Sequence, residues 1–182
     1  MTSTVRAAAA AAASAAVLFA LAACASPGPA SAPTPAETKT VAVLDAACAD
    51  DSGVTVVVDA SSLEDGDSKE WCIAADETLA ASDALTLVGV ETEGTEEYGD
   101  QVVCRVNGVP AADVAIPAED GSDYFETCAS MPAAFAYWSL WTKPSGGEWG
   151  YAQEGLSTLE LEPGDSLQLL FTLNGEPAAP AP

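Results

Sequence analysis

Apolar and polar residues alternate over 54–59, with Val54, Val56 and Val58 on one side and β-branched residues dominant, which predicts a half-buried strand. A polar loop containing Glu64-Asp65-Gly66-Asp67 follows, and 71–74 reads as the returning strand of an opening hairpin. From 77 to 88 the period changes. Ala81, Ala84, Leu85 and Val88 stand at i, i+3, i+4 and i+7, one stripe of an amphipathic helix. Asp76 is placed to cap its start, and Gly89 to supply the left-handed residue that ends it. Alternation resumes over 101–107 and stops at Asn107-Gly108, a tight-turn pair. Residues 135–142 are again strand-like, turn at Pro144-Ser145-Gly146-Gly147 and return over 148–152. The last two apolar runs, 156–161 and 166–173, read as a pair joined across Pro163-Gly164-Asp165, with Leu167, Leu169, Phe171 and Leu173 on the core side. One principal helix after a hairpin, then several strands, predicts an α+β domain with a mainly antiparallel sheet.

The chain outside this region has a different texture. After Arg6 an alanine-rich apolar run leads to Leu21-Ala22-Ala23-Cys24. A basic residue, a short hydrophobic stretch and small residues before a cut site make a signal peptide. The cysteine straight after Leu-Ala-Ala makes that signal similar to a bacterial lipobox, which implies lipidation at Cys24. The expected organisation is a lipoprotein signal over 1–23, an Ala/Pro-rich disordered tether over 24–46, one folded domain over 47–173 and a disordered tail over 174–182. The expected location is the extracytoplasmic face of the cell membrane, with the lipid as the attachment.

Composition narrows the function classes. The formal net charge is −23, and all 28 acidic residues follow the signal whereas Arg6 does not, which makes the exported chain −24. Such a polyanion is unsuited to nucleic acid, where Lys and Arg must neutralise phosphates. Glu91, Glu93, Glu96, Glu97 and Asp100 read as a solvated, self-repelling face, since their spacing lacks an EF-hand type of oxygen-ligand loop. Beyond Cys24 the cysteines are Cys48, Cys72, Cys104 and Cys128, an even number suited to an oxidising compartment. Four cysteines allow three pairings. Cys48–Cys72 with Cys104–Cys128 is favoured because each closes a loop of about 25 residues, which stabilises by roughly 3 kcal/mol. Zinc is disfavoured by the absence of histidine and of any CxxC pair.

No catalytic constellation is visible. The chain has no histidine, G-x-S-x-G elbow, P-loop or G-x-G-x-x-G motif, and no S-x-x-K precedes its exported lysines. The aromatic residues are unevenly placed instead. Tyr137, Trp138, Trp141, Trp149 and Tyr151 fall within fifteen residues on the two arms of one predicted hairpin. Alternation sets Tyr137 and Trp141 on one face and Trp138 on the other. One reading is packing on both sides, beneath the helix and the loop through Cys128. The other is contact with a flat ligand or a partner.

The order of motifs resembles a known family over about residues 54–173. A helix with Ser82-Asp83-Ala84-Leu85, ending at Gly89-Val90, leads into Cys104-Arg105-Val106-Asn107-Gly108-Val109-Pro110. Then come Ala136-Tyr137-Trp138-Ser139-Leu140-Trp141, Gly146-Gly147-x-Trp149-x-Tyr151, Gly155 and Gly164-Asp165-x-Leu167. This is similar to the small C-terminal domain of transcobalamin and intrinsic factor, and to bacterial secreted domains grouped with it. The resemblance implies a β-grasp-like, non-catalytic domain that contributes one wall of a small-molecule site, with a corrinoid as the family's ligand. The family's helical barrel has no room in this chain, and no histidine is present to meet cobalt. A complete corrinoid site would therefore need a helical-barrel or transporter protein as partner. The alternative function is an adaptor that contacts an envelope protein or transporter and has no ligand of its own. Replacing Cys24 by Ser should move the chain from the membrane fraction to the soluble exported fraction and abolish fatty-acid labelling; retention in the membrane would overturn the anchoring.

Overall fold

The computed structural model describes residues 41–181, and in it the alternating Val54, Val56 and Val58 become a strand near the middle of a six-stranded sheet. The elements in chain order are β1 (Val43–Leu44), β2 (Gly53–Asp59), β3 (Ser68–Ala74), β4 (Leu79–Ala80), α1 (Ala81–Leu87), β5 (Thr92–Thr95) and β6 (Gly99–Val106). They continue with β7 (Ile116–Pro117), β8 (Asp123–Tyr124), β9 (Ala136–Lys143), β10 (Gly150–Tyr151), β11 (Glu160–Leu161) and β12 (Ser166–Leu173). The large sheet runs β1-β3-β2-β12-β9-β10. Four of its five neighbour pairs are antiparallel, and the central pair, β2 with β12, is parallel. The described residues are thus mostly sheet with a single short helix.

Register explains which residues are buried. Val56 lies opposite Leu167 and Val58 opposite Leu169 across the parallel pair, while Ile73 lies opposite Val54 and Trp138 opposite Phe171. These side chains share one face and pack with Ala81, Ala84 and Leu85 of α1 and with Leu161 in a single apolar cluster. β12 is buried along nearly its whole length, including Leu170, which belongs to the opposite face and is only 1% exposed. The run Leu167-Gln168-Leu169-Leu170-Phe171 has few polar breaks because both faces of the strand are covered. On that second face Cys48 N–H donates to Thr55 Oγ1 at 3.0 Å, and Thr172 Oγ1 donates to the Pro177 carbonyl at 3.1 Å. The segments flanking the sheet are thereby held against it.

The helix is shorter than the 77–88 that periodicity predicts. Leu79 and Ala80 pair with Leu161 and Glu160 of β11, and Ala81 N–H donates to the Leu159 carbonyl at 2.9 Å. Strand pairing therefore takes the backbone where the first helical turn would lie. The N-cap is Ala80, with no side-chain cap bond, and Asp76 stands too far upstream to serve. The other end follows expectation: Gly89 has φ +71°, and Val90 N–H reaches back to the Leu85 carbonyl at 2.9 Å. At Asn107-Gly108 both residues have positive φ, and Val106 and Val109 exchange two backbone bonds, the geometry of a two-residue hairpin.

The expected pairing of 156–161 with 166–173 does not form. Both edges of β12 are occupied, by β2 and by β9, so β11 turns away to β4. The Pro163-Gly164-Asp165 corner is instead built into the sheet margin. Gly164 N–H donates to the Gly53 carbonyl at 2.7 Å, and Asp165 accepts from the Glu162 and Ser145 amides. The disulfides are Cys48–Cys72 and Cys104–Cys128, the favoured pairing of the three. The first ties the segment before β2 to β3, and the second ties β6 to the segment after β8. Strand pairing begins at Val43, ahead of the boundary set at 47. At the other end, Leu173 and Glu176 exchange backbone bonds just beyond β12. The signal 1–23, Cys24 and the tether as far as residue 40 lie outside the described residues.

Phe171 is almost fully buried and meets Trp138 edge-on at 5.3 Å between ring centroids. Phe171→Ala should cost about 3–5 kcal/mol, read as a lowered urea midpoint; an unchanged midpoint would show that this contact does not carry the core.

Candidate functional site

β9 presents its aromatics to two different environments, because successive side chains point to opposite faces. Trp138 is 7% exposed and lies on the helix-covered face, its indole N–H donating to the Val109 carbonyl at 2.9 Å. Trp141 is 6% exposed on the other face, and its indole N–H donates to Ser139 Oγ at 2.9 Å. Ser139 in turn donates to the Leu170 carbonyl at 3.0 Å. Tyr151 of β10 is the register partner of Trp141 and stacks on it at 3.9 Å with 28° between the planes. Tyr151 is 53% exposed. Burial of part of its ring raises its pKa above the ordinary phenol value, and a hydrogen bond with Tyr137 adds to the shift.

The five residues expected at the site therefore separate. Tyr137, Trp141 and Tyr151 form one connected group. Trp138 belongs to the core beneath α1. Trp149 sits half-buried before β10, with the Lys143 ammonium 5.8 Å from its ring centroid, near the outer limit for a cation–π contact. Pro144–Gly147 is a turn closed by Gly147 N–H to the Pro144 carbonyl at 2.8 Å, with Gly146 at φ +66°.

A concavity of ≈330 Å³ runs along the outer edge of β9, lined by Trp138, Leu140, Tyr151, Gln101, Gln153 and Glu154 among others. It adjoins a larger one of ≈820 Å³ beside α1 and β5, lined by Leu85, Thr86, Val90 and Glu91. Asp100 and Leu156 belong to both linings. The two concavities thus combine apolar and aromatic walls with amide and carboxylate groups. An anion entering them would meet Asp100, Glu91 and Glu154 and, among the described residues, no cation.

Sequence reasoning missed the polar network behind this surface. Arg105 is buried, and Nη1 donates to both carboxylate oxygens of Glu93 at 2.9 Å. Nε donates to the Pro110 carbonyl at 2.8 Å and Nη2 to the Glu126 carbonyl at 2.6 Å. A buried guanidinium is tolerated when its donors are met in this way. The available signal was an arginine between Cys104 and Val106 in the otherwise apolar run of residues 102–106. Glu126 is also buried, accepting from Tyr124 OH at 2.6 Å and Cys128 N–H at 2.7 Å. Cys104, Glu126 and Cys128 bring ligand-type atoms within 4.8 Å of one another. Both sulfurs are joined in the disulfide, so this trio offers no thiolate pair to a metal.

Comparison of the chain with protein-family models, with curated proteins and with solved structures finds no match.

Burial, helped by the Glu126 carboxylate, pushes the Tyr124 phenol up to about 12. A phenol whose pKa is raised by folding adds stability that is full below its unfolded value of about 10 and is lost as pH climbs through the folded value. Absorbance titration should show one phenol ionising near pH 12, with unfolding favoured across the same rise. Glu126→Gln should bring that ionisation to lower pH; an unmoved transition would rule out the carboxylate as a cause.

Proposed function

We propose that this chain is a lipid-anchored, non-catalytic binding module on the extracytoplasmic face of the membrane, contributing one wall of a small-molecule site. The observation that carries the reading is a pair of adjoining concavities that share Asp100 and Leu156, the smaller along the edge of β9 with Tyr151 exposed at its rim, the larger beside α1 and β5. The smaller hollow lies at the low end of the range for ligand pockets, roughly 300–1,000 Å³. Together with its neighbour it suits one side of a broad ligand, leaving the other side to a second protein. Two disulfides accord with an oxidising compartment. The acidic surface accords with attachment through lipid instead of through anionic headgroups.

The fold belonging to this proposal is β-grasp-like. Its support is the order β3-β2-β12-β9-β10, with first and last long strands parallel at the centre and α1 packed on one face. The ligand class implied by the resemblance to the transcobalamin C-terminal domain is a corrinoid, a broad macrocycle that meets aromatic rings and amide groups without requiring a cation.

Titration of the exported chain with cobalamin should give saturable quenching of tryptophan emission after correction for cobalamin absorbance. The quenching should develop with the chain alone or on adding a helical-barrel partner, and Tyr151→Ala should weaken it at least tenfold. Absence of saturable quenching in both settings would remove the corrinoid; one dominant crosslinked envelope protein with no ligand effect would establish the adaptor role instead.

A further inference from the structure

A second cleft lies away from the aromatic edge, between the loop after β2 and the segment that follows the Asn107-Gly108 turn. It encloses ≈500 Å³, and Leu63, Val109, Val114, Ile116 and Leu173 are among its apolar lining residues. Both walls are fixed by hydrogen bonds. In the first, Ala60 N–H donates to the Asp67 carbonyl at 2.8 Å, Leu63 N–H to Ala60 at 2.9 Å and Gly66 N–H to Leu63 at 3.0 Å. Ser62 Oγ ties the same loop to the Phe171 carbonyl at 2.7 Å. A Cβ at Gly66 would stand 1.8 Å from the Ala60 carbonyl oxygen, so this tight loop requires glycine.

The opposite wall is held by Trp138 on the Val109 carbonyl and Arg105 on the Pro110 carbonyl. Val114 N–H closes a turn on Ala111 at 3.1 Å. The result is a preformed apolar hollow, which loses little ordering entropy on binding. Val114 is more than half exposed at 54% and contributes to the lining.

Charge decides what can enter. Glu64, Asp65 and Asp67 belong to the lining, and all three are exposed. Among the described residues the nearby ammonium is that of Lys69, which pairs with Asp67 at 2.9 Å. Arg105 lies behind the wall with its charge engaged by Glu93. An apolar body gains from removing the hollow's surface from water, while a positive head gains from carboxylates outnumbering the single cation. An anionic head would be repelled. We infer that this cleft is a second ligand site, which takes a small amphiphilic organic cation: an ammonium group on an apolar chain or ring. Its lining shares no residue with the two concavities at and beside the edge of β9, so it stands whether or not that edge binds a corrinoid.

The test uses the exported chain carrying Cys24→Ser, so that no detergent competes, and n-octylammonium as probe with calorimetric and tryptophan-emission readouts. Saturable one-site binding is expected, at least tenfold tighter than for octanoate and not reproduced by ammonium ion alone. Val114→Lys places a cation at an exposed lining position and should weaken octylammonium at least tenfold. Asp65→Asn, also exposed, should weaken it about threefold, and neither change should alter the circular dichroism. Equal binding of octanoate would overturn the charge assignment. Equal effect of ammonium ion, or indifference to Val114→Lys, would reduce the binding to the general negative surface and overturn the site.

Discussion

The parallel pairing of β2 with β12 is the constraint from which the rest of the architecture follows. It brings the first and last long strands together at the centre, so Val56 meets Leu167 and Val58 meets Leu169 within the apolar core that also holds Val54. A parallel connection demands a long crossover, and everything from β3 to the 163–165 corner lies within it. Both edges of β12 are then filled, leaving β9 and the short β10 as the outer margin on one side. That margin is where Tyr151 becomes exposed and where the smaller concavity opens. This concavity and the core are therefore consequences of a single pairing.

Charge acts on a different scale. The described residues contain Lys69, Arg105 and Lys143 as their cations against a large excess of carboxylates. One of the three is removed from the surface, since Arg105 is enclosed by Glu93, Pro110 and Glu126. Its burial requires every contact it makes, because a guanidinium without partners in such a place would cost several kcal/mol. The same network sets the spacing between the strand carrying Cys104 and the segment carrying Cys128. Polar burial, disulfide and the Tyr124–Glu126 hydrogen bond support one another there.

Legibility varied with how local each determinant was. Strands β2, β9 and β12 and the turn at Asn107-Gly108 were readable because alternation and positive-φ residues are local signals. The helix was overextended at its start, because Asp76 offered a local cap while the pairing of Leu79 and Ala80 with the distant β11 left no local signal. The 156–173 hairpin failed for a similar reason: the turn residues at Gly164-Asp165 were recognised, but not the prior claims of β2 and β9 on β12. In the aromatic hairpin, alternation placed Trp138 opposite Tyr137 and Trp141. It carried no information on depth, and the indoles of Trp138 and Trp141 are both buried while the phenol of Tyr151 is exposed.

The periodic strands, the turn chemistry, the even count of cysteines beyond Cys24 and the excess of negative charge were legible in the amino-acid order alone, because neighbours within a few residues or simple counting set them. Three-dimensional packing selected which strands become neighbours, which cysteines pair, where the helix begins, which rings reach solvent and that Arg105 is enclosed. Those outcomes depend on competition among distant segments for the same backbone edges and the same buried space. Local pattern has no term for that competition.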